Sequence, residues 1–132
     1  MLLNVTTKIK KIIHKGFFFL FFTNFYSFFC GKKSMQMKNI VLFASGNGSN
    51  AEEIIKYFKN NNQSTVVAVF SNKQEAKVLD RAKNHNLPAV VFNKEQLNDG
   101  FVLEKLHQLQ PDLIVLAGFL LKFPESILKE YP

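Results

Sequence analysis

An α/β fold built on an open parallel sheet is predicted by three observations. Short apolar or β-branched runs alternate with stretches of helical periodicity from Met37 onward. Each strand-helix-strand unit is long enough for a crossover, which parallel pairing requires. The fourth run, Leu113 to Phe119, is apolar throughout and asks for cover on both faces, as a strand of a parallel sheet does.

The elements follow in order. "NIVLFAS" (residues 39–45) reads as a short buried strand. The helix over "AEEIIKYFK" follows from Ala51, Ile54, Ile55 and Phe58, which fall at i, i+3, i+4 and i+7. Asn50 is placed to cap it, with Glu53 three residues on completing a capping box. "TVVAVFS" is a second strand. A helix from Ser71 or Asn72 to about Asn84 buries Val78, Leu79 and Ala82. "HNLP" turns the chain into a third strand, "AVVF". "FVLEKLHQL" is a helix with Val102, Leu106 and Leu109 on one side, and "DLIVLAGF" is the fourth strand. Pro124 suits the first turn of a final helix over "ESILKEY". Right-handed crossovers then give the strand order 3-2-1-4, a Rossmann-like arrangement with helices on both faces. The order reverses between strands one and four, and ligands of such sheets bind at the carboxyl ends of the strands there. "SGNGSN" and "AGFLLK" are the turns that meet at this point.

The first 36 residues have a different composition. They hold six Lys and no acidic residue, whereas the remainder carries eleven basic and ten acidic residues. The tail therefore holds +6 of the formal charge of +7, and the nearly neutral body argues against a nucleic-acid surface. Residues 17–30 contain eight of the fifteen Phe. That stretch is shorter than the roughly 20 residues of a membrane span and lacks the small-residue cleavage site of a signal peptide. Residues 1–36 are read as a basic, non-globular Phe-rich extension, disordered or upstream of a true start at Met35 or Met37 rather than Met1. Residues 37–132 form the domain. Cys30 is the only cysteine, which excludes a disulfide framework and a cysteine zinc cluster and suits a cytoplasmic protein.

"SGNGSN" is a strand-to-helix turn rich in small polar residues. Gly46 and Gly48 allow positive φ and close approach of the backbone. Amides of Gly48, Ser49 and Asn50 can point at an anion, assisted by the helix dipole. The turn lacks the Lys of a Walker motif and the third glycine of GxGxxG, so a monophosphate suits it better than a nucleoside triphosphate or a dinucleotide. The competing interpretation is a turn that caps its own helix, with Glu52 and Glu53 supplying the negative charge.

"MKNIVLFASGNGSNAEEII", "VVAVFSNK" and "PDLIVLAGFLLKFP" together resemble phosphoribosylglycinamide formyltransferase, from about Met37 to Pro132 and in order. Formyltransferases that act on methionyl-tRNA or hydrolyse formyltetrahydrofolate are similar in the later strand but not in the first loop. The resemblance implies transfer of a formyl group from 10-formyltetrahydrofolate, as co-substrate, to glycinamide ribonucleotide in purine biosynthesis. It implies that Gly48, Ser49 and Asn50 hold the ribonucleotide phosphate. It also implies that Leu120, Leu121, Lys122 and Phe123 line the folate site with backbone groups, and that Lys94 stands where the family carries an Arg near the folate. The family often has Arg where Leu121 stands, and core packing competes as a role for the side chains of Leu120, Leu121 and Phe123.

The same resemblance places the catalytic Asn and His of an N-x-H-P motif, and a later Asp, after a fifth strand beyond Pro132. No catalytic residue is therefore expected in this chain. His14 lies in the tail, while His85 and His107 read as solvated or structural. The chain is expected to be the amino-terminal half of a formyltransferase domain, inactive alone, with its fourth strand left as an open edge. Rival readings are a non-enzymatic phosphate-binding module and a membrane-tethered protein using residues 17–30. Neither a nucleic-acid partner nor a metal is expected.

Overall fold

A computed structural model describes residues 2–4 and 37–132. Cys30, His14, the Phe-rich stretch and the alternative starts Met35 and Met1 lie outside the described residues. Five parallel strands form one sheet: β1 (Leu2–Asn4), β2 (Lys38–Phe43), β3 (Ser64–Ser71), β4 (Ala89–Val91) and β5 (Leu113–Leu116), in the order β1-β5-β2-β3-β4. Helices α1 (Ser49–Lys59), α2 (Lys77–Asn84), α3 (Lys94–Asn98), α4 (Phe101–Leu109) and α5 (Glu125–Glu130) connect and flank them.

The predicted order of the four body strands is the observed one, with β2 and β5 adjacent at the reversal. β2 is central, and its alternation explains the two-sided core. Ile40, Leu42 and Ala44 join Ala51, Ile54, Ile55 and Phe58 of α1 and Val78, Leu79 and Ala82 of α2 on one face. Val41 and Phe43 join Val102 and Leu106 of α4, Ile127 of α5 and a group of phenylalanines on the other. Phe43 stacks on Phe70 at 4.9 Å between centroids and meets Phe123 edge-on at 5.1 Å.

The period of two breaks once. Ile40 pairs with Val66, but Val41 pairs with Ala68, so Val67 is an extra residue in β3. Val67 and Ala68 consequently contact the same core cluster. Nothing in "TVVAVFS" marks this bulge, because every residue there is equally suited to a strand.

Boundaries differ from expectation at several ends. α2 starts at Lys77, not Ser71 or Asn72, because residues 72–76 form a turn in which Ala76 N–H donates to Lys73 O. "AVVF" and "DLIVLAGF" shorten to three and four paired residues. Pro124 is the N-cap of α5 and not its first helical residue. The sequence reading assigned no helix to residues 94–98, where Asn93 and Gln96 form a reciprocal capping box.

The expected open edge of β5 is covered. Leu2, Leu3 and Asn4 pair in parallel with Ile114, Val115 and Leu116. These three residues depart from a wholly non-globular tail. The reason is that β5 presents a row of main-chain groups on the side away from β2, and a strand laid there satisfies them.

Removing residues 1–4 should bare that edge. Sedimentation velocity of the shortened chain is expected to show concentration-dependent self-association beyond that of the full chain. Indistinguishable profiles would mean that β1 does not protect the edge.

Candidate functional site

The carboxyl ends of β3, β2 and β5 are tied together at one residue. Ala44 N–H donates to Phe70 O at 3.0 Å, and Ser45 N–H donates to Gly118 O at 3.2 Å. The Ser45 hydroxyl, buried at 1 % exposure, donates to Asn72 Oδ1 at 2.5 Å and accepts from Leu120 N–H at 3.0 Å. The "SGNGSN" and "AGFLLK" turns are thereby joined directly. Neither Ser45 nor Asn72 stood out in the sequence. The only signal was the position of Ser45, the last residue before the glycines.

Beyond Ser45 the chain turns into α1. Gly48 is its N-cap, at φ 72° and ψ 20°, and no side chain caps the helix. The capping box expected from Asn50 and Glu53 is absent: α1 begins at Ser49, so Asn50 is already helical. Gly46 does not use its freedom either, since it is not among the positive-φ glycines. Gly48 uses it twice. Its φ is left-handed, and a Cβ there would lie 2.3 Å from Val78 Cγ2 and 2.8 Å from Val78 Cα. Helix α2 therefore packs directly on the turn.

The carbonyls and amides of the turn have separate fates. Gly46 O accepts from Val78 N–H at 3.3 Å, Asn47 O accepts from Arg81 Nε–H at 2.8 Å, and Gly48 O accepts from Glu52 N–H at 2.8 Å. Among the described residues, the N–H groups of Gly46 through Ala51 have no acceptor. An ordinary helix start leaves about four such groups, and here the run begins before the helix does. Ser49 is exposed and Asn50 half-buried, so their N–H groups and side chains lie at the surface with that of Gly48. An oxyanion placed there would meet several donors and the positive end of α1.

The acidic residues that could fill this place are engaged elsewhere. Glu52 pairs with Arg81 and lies 3.6 Å from Lys56 Nζ and 3.5 Å from His85 Nε2. Glu53 points its carboxylate to Lys56 at 3.4 Å. The turn is thus not closed by its own first-turn acids, which was the competing interpretation.

The second segment is only partly backbone-available. Leu120 is 71 % exposed, but its N–H is taken by Ser45. The N–H groups of Leu121, Lys122 and Phe123 have no acceptor among the described residues. The Phe123 side chain sits in the aromatic core, and Leu121 packs partly against the same cluster. Lys122 is exposed. Lys94 is exposed at the start of α3, after β4, and among the described residues no hydrogen bond or ion pair joins it to either turn. His85 is the C-cap of α2 beside Glu52, and His107 pairs with Glu130, both as structural partners.

A hollow of about 570 Å³ adjoins the turn on its β3 side, lined by Ser45, Gly46, Asn47 and residues 73–77. It shares Ser45, Gly46 and Asn47 with the first turn, and no residue of Gly118–Phe123 lines it. Among the described residues no cluster of three His, Cys, Asp or Glu could hold a metal, and no helix is long and apolar enough to cross a membrane.

Comparison with known proteins decides the family. The formyl transferase model matches residues 38–132. This chain belongs to the formyl transferase family. It is similar to the phosphoribosylglycinamide formyltransferase of Escherichia coli (strain K12), 38% identical over 99 residues that cover 70% of this chain and 47% of that protein. The enzyme of the same name from Bacillus subtilis (strain 168) is 32% identical over 101 residues, covering 72% and 52%. Glycinamide ribonucleotide transformylase 1 from Geobacillus kaustophilus superposes with a TM-score of 0.67 at 30% identity, over 73% of this chain and 54% of that one. The chain thus spans about half the length of the relatives it matches.

Two substitutions test the local geometry. Gly48→Ala is expected to cost about 2–4 kcal/mol in urea unfolding, from left-handed φ and overpacking together. Val78→Ala in that background should recover little, because the Cβ and Cα that alanine keeps would still lie 2.4 Å and 2.8 Å from the added Cβ; a double-mutant cycle measures the coupling. Ser45→Ala, which strips partners from Leu120 N–H and Asn72, should cost about 1–3 kcal/mol. A loss below roughly 0.5 kcal/mol, within the range of an ordinary surface change, would mean that the clasp does not hold the turns.

Proposed function

We propose that this chain supplies the phosphate-binding part of a phosphoribosylglycinamide formyltransferase site, holding the phosphate of glycinamide ribonucleotide on Gly48, Ser49 and Asn50. The observation that carries this reading is the uninterrupted run of acceptor-free N–H groups from Gly46 to Ala51 at the start of α1. A phosphate monoester needs several donors in a small space and no opposing carboxylate, and the engagement of Glu52 and Glu53 by cations meets the second need.

Formyl transfer from 10-formyltetrahydrofolate requires attack by the substrate amine on the formyl carbon. It also requires donors for the resulting oxyanion and a path for the amine proton. In the proposed arrangement the free main-chain groups of Leu121, Lys122 and Phe123 meet the pterin of the co-substrate. The exposed Leu120 side chain borders it, and Phe123 serves by anchoring the turn in the core rather than by touching folate. Lys94 contributes charge near the folate only if α3 and the second turn close on the same ligand. The described histidines, His85 and His107, are each paired with a glutamate, so the acid–base step is assigned to neither. A cytoplasmic location is part of the same proposal.

The test is a ¹⁵N–¹H titration of the chain with glycinamide ribonucleotide. Saturable shifts centred on Gly48, Ser49 and Asn50 are expected. Shifts confined to the hollow at residues 73–77, or none, would overturn the assignment. With both substrates present, the chain alone should give no formyl transfer; detectable turnover would return the chemistry to residues described above.

A further inference from the structure

The turn owes its shape to the helix behind it. Three of its features face α2: Gly46 O bonded to Val78 N–H, Gly48 packed on Val78, and Asn47 held at two atoms by Arg81. Val78 and Arg81 are three apart, so one face of α2 makes all of these contacts. Arg81 donates from Nε to Asn47 O at 2.8 Å and from the guanidinium to Asn47 Oδ1 at 3.2 Å, and pairs with Glu52. Its side chain retains 30 % exposure and that of Glu52 20 %, so water screens the pair only partly.

From this geometry we infer that Arg81 is a positioning residue for phosphate recognition, turning the carbonyl of Asn47 toward α2 and keeping the Glu52 carboxylate off the free N–H groups. The inference rests on the phosphate reading above and goes beyond it in assigning a role to a residue that touches no ligand. Two effects are combined. A peptide plane has its N–H and C=O on opposite sides. Anchoring Asn47 O at α2 therefore fixes the following amide, that of Gly48, in the other direction. Separately, Glu52 lies in the first turn of α1, where a carboxylate is attracted by the same dipole and donors as a phosphate. Arg81 gives that carboxylate a better partner.

The fork of donors matters as well as the charge. A lysine could reach Asn47 or Glu52, but a single ammonium cannot present Nε and both terminal nitrogens in one plane. Arg81→Lys should therefore keep the diversion of Glu52 better than it keeps the geometry of Asn47.

The experiment compares ribose 5-phosphate binding, by ¹⁵N–¹H titration, to the full chain and to Arg81→Met, Arg81→Lys and Arg81→Met with Glu52→Gln. Arg81→Met is expected to bind about tenfold more weakly or worse, the equivalent of one lost charge-assisted hydrogen bond. Removing the carboxylate as well should recover part of that loss, which a merely structural role would not produce. Arg81→Lys should fall between. Hydrogen exchange of the buried Val78 amide, which is bonded to Gly46 O in the ligand-free chain, supplies an independent readout and should accelerate in Arg81→Met. A folded Arg81→Met variant with unchanged affinity and unchanged exchange would overturn the inference. Failure of the unsubstituted chain to bind ribose 5-phosphate would instead overturn the phosphate reading, and exchange would then still report whether Arg81 holds the turn.

Discussion

Everything at the functional end of this sheet depends on three strands stopping at one level. β3, β2 and β5 end together because Ala44 N–H reaches Phe70 O, Ser45 N–H reaches Gly118 O, and the Ser45 hydroxyl bridges Asn72 and Leu120. A buried hydroxyl with its donor and acceptor capacity both used is fixed in a way that an exposed one is not. Because Ser45 is also the first residue of the glycine turn, the turn inherits the rigidity of the sheet. The packing below enforces the same alignment. Ile40 and Leu42 face α1 and α2, Val41 and Phe43 face the aromatic side, and β2 cannot slide without exchanging these faces.

Main-chain recognition shifts the burden of specificity from the residues at the ligand to those behind them. Ser49 and Asn50 can add hydrogen bonds, but the donors that any oxyanion meets first are peptide N–H groups, which every residue but proline possesses. What cannot be exchanged freely is the conformation that aims them. Gly48 is constrained by its φ and by contact with Val78, and Asn47 by the Arg81 fork. The second turn shows the same division. Phe123 is held in a cluster with Phe43 and Phe119, so the segment between Gly118 and Phe123 is anchored at both ends while Leu120 stands in solvent.

The fold was largely legible in the sequence because its cause is periodic. Two-sided burial of β2 and β5, the 3.6-residue stripe of α1 and the crossover rule together leave a single order for the body strands. The site was legible only in outline. "SGNGSN" announces amides at a helix start, yet the capping role given to Asn50 was misplaced, because a left-handed Gly48 lets the helix begin two residues earlier. Arg81 was not visible at all, and Ser45 only by its place before the glycines. Their roles arise from contacts 34 and 75 residues away in sequence, and no local pattern carries such information. The extra residue at Val67 escaped for the opposite reason: its neighbours are so uniform that the pattern has no phase to lose.

The charge distribution fits an anion site of this kind. A body of eleven basic and ten acidic residues generates little long-range field, so attraction of the ligand has to be local. Two cations near the turn are already committed: Arg81 to Glu52 and Asn47, and Lys56 to Glu52 and Glu53. They do not contact the ligand position, and they neutralise what would oppose it. The net result is a patch whose positive potential comes from peptide dipoles and the end of α1, and that is short-ranged. Such a patch suits a single phosphate better than a polyphosphate. It offers one closely spaced set of main-chain donors, which matches the few oxygens of one phosphate.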